Sequence, residues 1–174
     1  MMFDRILKTV KSLIEKHGLL HPREMAEHCG LLALEVPYRR LHGISFFFAG
    51  LRVIAVDRSL PPCRKNGTLF HEITHQILHP GMTRFFIETI PTKRPTRYEL
   101  EADLGGLIYA LMWDRQGFED SGYSVYRFAE LYGFCRAAAD LVISNLETRG
   151  PELLKELGYE VPDPEDWIPN STSA

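Results

Sequence analysis

The ten residues from Phe70 to His79, Phe-His-Glu-Ile-Thr-His-Gln-Ile-Leu-His, constrain this chain more than any other stretch. Residues four apart on a helix are separated by about 6 Å of rise and about 40° of rotation, so a helix puts His71 and His75 on one face. Their imidazole nitrogens can then converge on one divalent ion, most naturally zinc at about 2.0–2.1 Å. Glu72 sits beside the first of them and can reach a water held by the ion without binding the ion itself. A carboxylate so placed can take the proton of that water, whose pKa the ion lowers to about 7. The flanking residues favour a helix. Asn66-Gly67-Thr68 offers N-capping groups, Leu69, Phe70, Ile73 and Ile77 form an apolar stripe, and Pro80-Gly81 is a stop. A buried amphipathic helix with two chance histidines would show the same pattern, so a third ligand from elsewhere in the chain has to decide.

The chain has 174 residues, enough for one domain with a real hydrophobic core over residues 1–160. Apolar residues make up 45% and charged residues 25%, and the net charge is −3, so there is no basic excess of the kind that marks direct nucleic-acid binding. Cys29, Cys63 and Cys135 are odd in number and far apart, which excludes a disulfide framework or a Cys-x-x-Cys knuckle. Packing roles in a reducing, cytoplasmic compartment follow. The first 20 residues mix acids and bases and lack the apolar core of a signal peptide, and no run approaches the roughly 18 apolar residues of a membrane span.

Phe3, Ile6, Leu7, Val10, Leu13 and Ile14 recur at helical spacing, and Gly18 ends that element. Pro22 opens a second, short helix to about His28, closed by Gly30. His17, His21 and His28 are read as solvated or capping. Leu32 to Val36 forms a strand. Ile44 to Phe48 and Leu51 to Val56, joined by Ala49-Gly50, form a hairpin able to lie on the apolar face of the His71 helix. An exposed edge of that sheet could pair with an extended peptide. Asp57 to Lys65 reads as a loop, and Phe85 to Glu88 as a short strand before a loop holding Pro91 and Pro95. Thr96, with Glu99 third after it, has the arrangement of a capping box and starts a helix to Met112. Ala102, Gly105 and Gly106 would let that helix press closely on another, which offsets the roughly 1 kcal/mol each glycine costs in a helix. Gly117 to Tyr123 reads as a loop, followed by helices over Val125–Leu131, Ala137–Leu146 and Pro151–Leu157. Residues 161–174 read as a poorly ordered tail.

For the third ligand, a metzincin would need histidine ten residues after the first, where Gly81 stands. His79 lies one turn further along the ligand face, but three ligands on one straight helix cannot surround an ion tetrahedrally. A carboxylate of the later helix is better placed. Glu99 and Asp103 are four apart and share a face, while Glu101 points roughly the other way. Glu99 is therefore the preferred ligand and Glu101 its competitor, with Asp103 free to accept the N–H of a ligand histidine and set its tautomer. A solvated acidic face is the plain alternative.

These motifs, His71-Glu72-x-x-His75 with Leu78-His79 and then Glu99-x-Glu101-Ala102-Asp103, resemble those of the ImmA/IrrE family of metallopeptidases in the gluzincin group. The similarity takes in the hairpin from Gly43 to Val56 and the segment from Phe128 to Gly133, and covers about residues 20 to 150. Gly105-Gly106 stands where the family usually has Phe-Ala, and Ile73-Thr74 replaces the commoner Leu-Gly. The resemblance implies an α+β, minigluzincin-like fold, in which a small antiparallel-containing sheet packs on the metal helix and on a second, glutamate-bearing helix. It implies a zinc endopeptidase with His71, His75 and Glu99 on the metal and Glu72 as general base. Its partner would be a protein substrate such as a helix-turn-helix transcriptional repressor. Tyr98, Tyr109 and His79 are candidates for stabilising the oxyanion. Two rival classes remain at this level: a metal-containing regulatory module that binds a transcription factor without cutting it, and a structural domain in which the motif is accidental.

Overall fold

A computed structural model describes residues 1–37, 41–80, 84–87 and 96–160. The elements in order are α1 (Met2–His17), α2 (Pro22–His28), β1 (Leu31–Val36), β2 (Leu41–Phe48), β3 (Leu51–Asp57), α3 (Pro62–Leu78), β4 (Arg84–Ile87), α4 (Arg97–Trp113), α5 (Arg115–Asp120), α6 (Val125–Tyr132), α7 (Arg136–Arg149) and α8 (Pro151–Glu156). The strands form one mixed sheet in the order β1-β3-β2-β4, with β1 parallel to β3 and the other neighbours antiparallel. The fold is α+β, as expected. Glu88, Pro91, Pro95 and residues 161–174 lie outside the described residues.

The hairpin turns on Ala49 and Gly50, both at positive φ (48° and 82°), the backbone that matches a two-residue turn to strand twist. Facing α3, the sheet offers Leu31 and Ala33 from β1 and Ile54 and Val56 from β3, all part of the main buried cluster. Ser45 pairs with Ile54 and Gly43 with Val56, so alternation along β2 turns these two toward the same side. A Cβ on Gly43 would run into the Thr68 methyl of α3, so the strand lies almost directly on the helix.

Two readings of the chain need correction. Asn66-Gly67-Thr68 does not cap α3. The helix starts more than a turn earlier, with Pro62 at its first position, where proline's fixed φ suits a helix and its missing N–H costs nothing. Gly67 is inside the helix because α6 ends against it, and a Cβ there would collide with the Tyr132 carbonyl oxygen. Gly117 to Tyr123 is not simply a loop either. Asp114 accepts the Gly117 N–H at 3.0 Å and caps the short helix α5.

The helices α3 and α4 approach through glycine. A Cβ on Gly105 would enter the Thr74 side chain and come within 3.3 Å of Ile6 of α1, and one on Gly106 would lie 2.7 Å from Phe134 and 3.2 Å from the His71 nitrogen. The helix α1 covers this pair with Phe3, Ile6, Leu7 and Val10. Tyr109 ties the α1–α2 turn to α4: its hydroxyl donates to Leu20 O at 3.0 Å and accepts from Leu20 N at 3.2 Å. Cys29, Cys63 and Cys135 are free thiols. No helix among the described residues is long and apolar enough to cross a membrane.

The helical glycines yield a stability prediction. Gly67→Ala gains up to about 1 kcal/mol of helix propensity but overpacks a backbone contact at about 1–3 kcal/mol, so the net change is destabilising. It should appear in urea unfolding as a lower midpoint with an unchanged slope.

Candidate metal centre

Three side chains from two helices converge. On α3, His71 and His75 are one turn apart, with ring centroids 4.6 Å from each other and both buried. On α4, Glu99 lies in the first turn, where the Thr96 hydroxyl accepts the Glu99 N–H at 3.3 Å, the capping contact expected from the sequence. Glu99 Oε2 is 3.3 Å from His71 Nε2 and Glu99 Oε1 is 3.4 Å from His75 Nε2. One ligand atom from each residue lies within 4.8 Å of the others, and this is the group of described residues able to hold an ion.

Asp103 sits one turn after Glu99 and does what that spacing implied. His71 Nδ1 lies 2.7 Å from Asp103 Oδ1, which directs Nε2 toward Glu99 and His75, where a cation can take the place of its proton. The other oxygen, Oδ2, accepts the Cys135 backbone N–H at 2.9 Å. That second contact escaped sequence reading, because a backbone donor leaves no residue signature. It joins the corner between α6 and α7 to α4 and, through His71, to α3.

Glu101, the competing ligand, is directed elsewhere. It is only 2% exposed, and its Oε1 accepts from Arg5 of α1 at 2.8 Å and from Arg97 at 2.9 Å. Burial alone would raise its pKa, but these two guanidinium groups outweigh it and hold the carboxyl below its usual range. His79 Nε2 is 3.3 Å from Glu101 Oε2, and its ring meets Tyr98 edge-on at 4.8 Å. His79 therefore stands at the end of α3 beside the converging group and outside it. Tyr109 is removed from the oxyanion candidates, since its hydroxyl is committed to Leu20. Of the other histidines, His21 caps α2 through its ring nitrogen, accepting from Arg23 N at 3.2 Å, and His17 and His28 pack edge-on at 5.5 Å.

The electrostatics favour a cation at the meeting point. Burial works against charge on His71, but hydrogen bonds to Asp103 and Glu99 overcome it and push the imidazole up to about 10. Glu99 is driven the opposite way: burial is outweighed by His71 and His75, and its carboxyl falls far below the usual range. A positive charge is thus stabilised between these groups, and two imidazoles with one carboxylate are a donor set suited to zinc. Glu72 is almost fully buried, and burial raises its pKa against the opposing effects of His71 and the Ser45 hydroxyl. Ser45, on the strand lying over α3, is a second residue that the sequence alone did not single out.

Metal analysis tests this arrangement. Glu99→Ala should lose stoichiometric metal, whereas Glu101→Ala should keep it but melt at lower temperature, because Arg5 and Arg97 lose their shared acceptor. Asp103→Asn should weaken metal binding about 10–100-fold. Since the cation must displace a proton that His71 holds up to about pH 10, apparent affinity should rise from about pH 6 to about pH 9. The rise should be up to about tenfold per pH unit for each proton displaced, measured by competition with a chelator of known affinity.

The model of the IrrE N-terminal-like domain, Peptidase_M78, matches residues 32–143, from β1 through most of α7. That span includes His71, Glu72, His75, Glu99, Asp103 and Cys135. No curated protein and no solved structure matches the chain. With its donor residues brought together on α3 and α4, the chain belongs to the IrrE N-terminal-like family of metallopeptidases.

Proposed function

We propose that this protein is a zinc-dependent endopeptidase that hydrolyses peptide bonds of a protein substrate, with a helix-turn-helix transcriptional repressor as the substrate class. The observation that carries the reading is the convergence of His71, His75 and Glu99 with the buried Glu72 beside it. The repressor as target rests on the resemblance of the motifs. Three free thiols support a reducing compartment, such as the cytoplasm.

His71, His75 and Glu99 would hold the ion. Once bound, it would supply a Lewis acid that lowers the pKa of water to about 7 and polarises a carbonyl. Asp103 keeps His71 in the tautomer that offers Nε2. Glu72 takes the proton from the attacking water and then delivers it to the leaving amine. Its low-dielectric surroundings raise its proton affinity, which suits both transfers. Tyr98 and His79, whose rings meet edge-on at 4.8 Å, are the candidates for stabilising the oxyanion.

Glu72→Gln should keep fold and stoichiometric zinc but lose about 10²–10⁴-fold in turnover of a cleaved peptide, read by mass spectrometry. Full turnover in a folded, zinc-loaded Glu72→Gln protein would remove the general-base role. Stoichiometric zinc with no cleavage by wild type would favour the non-catalytic regulatory module instead.

A further inference from the structure

The strand β2 is antiparallel to β3, and the short link of residues 58–61 sends α3 back along β3, so β2 and α3 run in the same sense. Their side chains meet in step. Gly43 lies on Thr68, and a Cβ there would also be 3.7 Å from Glu72 Oε1. Two residues of strand advance by about 6.6 Å and four residues of helix by about 6 Å. The next inward residue of β2 is Ser45, and it comes level with Glu72, the next residue of α3 on that face. Both are only 1% exposed. Ser45 pairs across the sheet with Ile54, and Ile54 with Ala33, so this hydroxyl stands in a row whose other members are apolar.

The other hydroxyls on α3 are already committed. Thr68 Oγ1 donates to the Arg64 carbonyl at 2.9 Å and Thr74 Oγ1 to the Phe70 carbonyl at 2.8 Å, each one turn back along the helix. Ser45 is different. Its Oγ and Glu72 Oε2 are both shut off from solvent, and neither makes a hydrogen bond to any other described residue. A buried polar group without a partner is costly, and here two such groups stand in facing positions. The hydroxyl is close enough to act on the carboxyl: burial raises the proton affinity of Glu72, and His71 and then Ser45 oppose it.

We infer that Ser45 is a positioning residue for the general base: its hydroxyl hydrogen-bonds one oxygen of the Glu72 carboxyl and so fixes the direction of the other. The inference rests on the peptidase reading and adds to it a residue from the sheet. With one oxygen held, the other takes the proton from the attacking water and returns it to the leaving amine. The held oxygen accepts from Ser45 whether its neighbour is ionised or protonated, so the contact lasts through both transfers. Ser45 keeps its own proton throughout. Its part is to stop the carboxyl from turning between the two steps, which preserves the geometry that proton transfer needs.

A serine that is there only for its small size would serve as well as alanine, which lacks just the hydroxyl, so Ser45→Ala separates the two roles. The first arm needs no activity. Wild type, Ser45→Ala, Glu72→Ala and the double variant are unfolded in urea at one fixed zinc concentration. Ser45→Ala should lower the midpoint of wild type and should not lower that of Glu72→Ala, where the partner is already gone. Equal shifts in the two backgrounds, or no shift in wild type, overturn the contact. In the second arm, with a cleaved peptide, Ser45→Ala should keep stoichiometric zinc and an unchanged KM but lose about tenfold in kcat. Ser45→Thr, which restores a hydroxyl, should recover most of that loss. Loss of zinc, or full kcat in a folded Ser45→Ala protein, overturns the positioning role and leaves the peptidase reading standing. So does a threonine variant as stable as wild type that turns over no faster than Ser45→Ala. If wild type cuts no peptide, the peptidase reading fails, and the unfolding comparison still decides whether Ser45 holds Glu72.

Discussion

The Asp103 carboxylate makes two hydrogen bonds in different directions, one from an imidazole and one from a backbone amide, and the geometry of the centre depends on both. Through Oδ1 it holds the Nδ1 side of the His71 ring and so directs Nε2 toward Glu99. Through Oδ2 it fixes the position of the corner after α6. Both oxygens act as acceptors, so one carboxyl group of Asp103 orients two partners at once. It sits where α3 and α4 come closest, beside the glycine contacts that let Glu99 approach the two histidines.

Around this point negative and positive groups are sorted by direction. Glu99 and Asp103 face the histidines, whereas Glu101, between them in sequence, faces Arg5 and Arg97 on the opposite side of α4. A helix rotates each residue by about 100°, so alternate acids in Glu99-x-Glu101-x-Asp103 serve different neighbours without competing. One set faces the two histidines, where His71, His75 and Glu99 form a group that could hold an ion. The other ties the start of α4 to α1 and steadies the His79 end of α3.

Much of this was legible because it is local and periodic. The interval of four puts His71 with His75 and Glu99 with Asp103, the capping pattern marks Thr96, and paired glycines announce a close helix contact. What could not be read depends on partners distant in sequence. Gly67 reads as part of a cap until the Tyr132 carbonyl is found against it. The parallel pairing of β1 with β3 skips over β2, and no local pattern encodes it. The Cys135 amide and the Ser45 hydroxyl become relevant only when α7 and β2 are docked. The choice between Glu99 and Glu101 lay in between: helix rotation favoured Glu99, and the presence of Arg5, nearly a hundred residues away, gives Glu101 its other role.

Because α3 begins at Pro62 without a break before Leu78, Gly67, where α6 rests, and Glu72 are marks on one rigid rod. The interval between them is set by helix pitch and does not vary with loop motion. A one-residue insertion between the two would turn one relative to the other by about 100°. The spacing between the two marks therefore belongs to the helix itself.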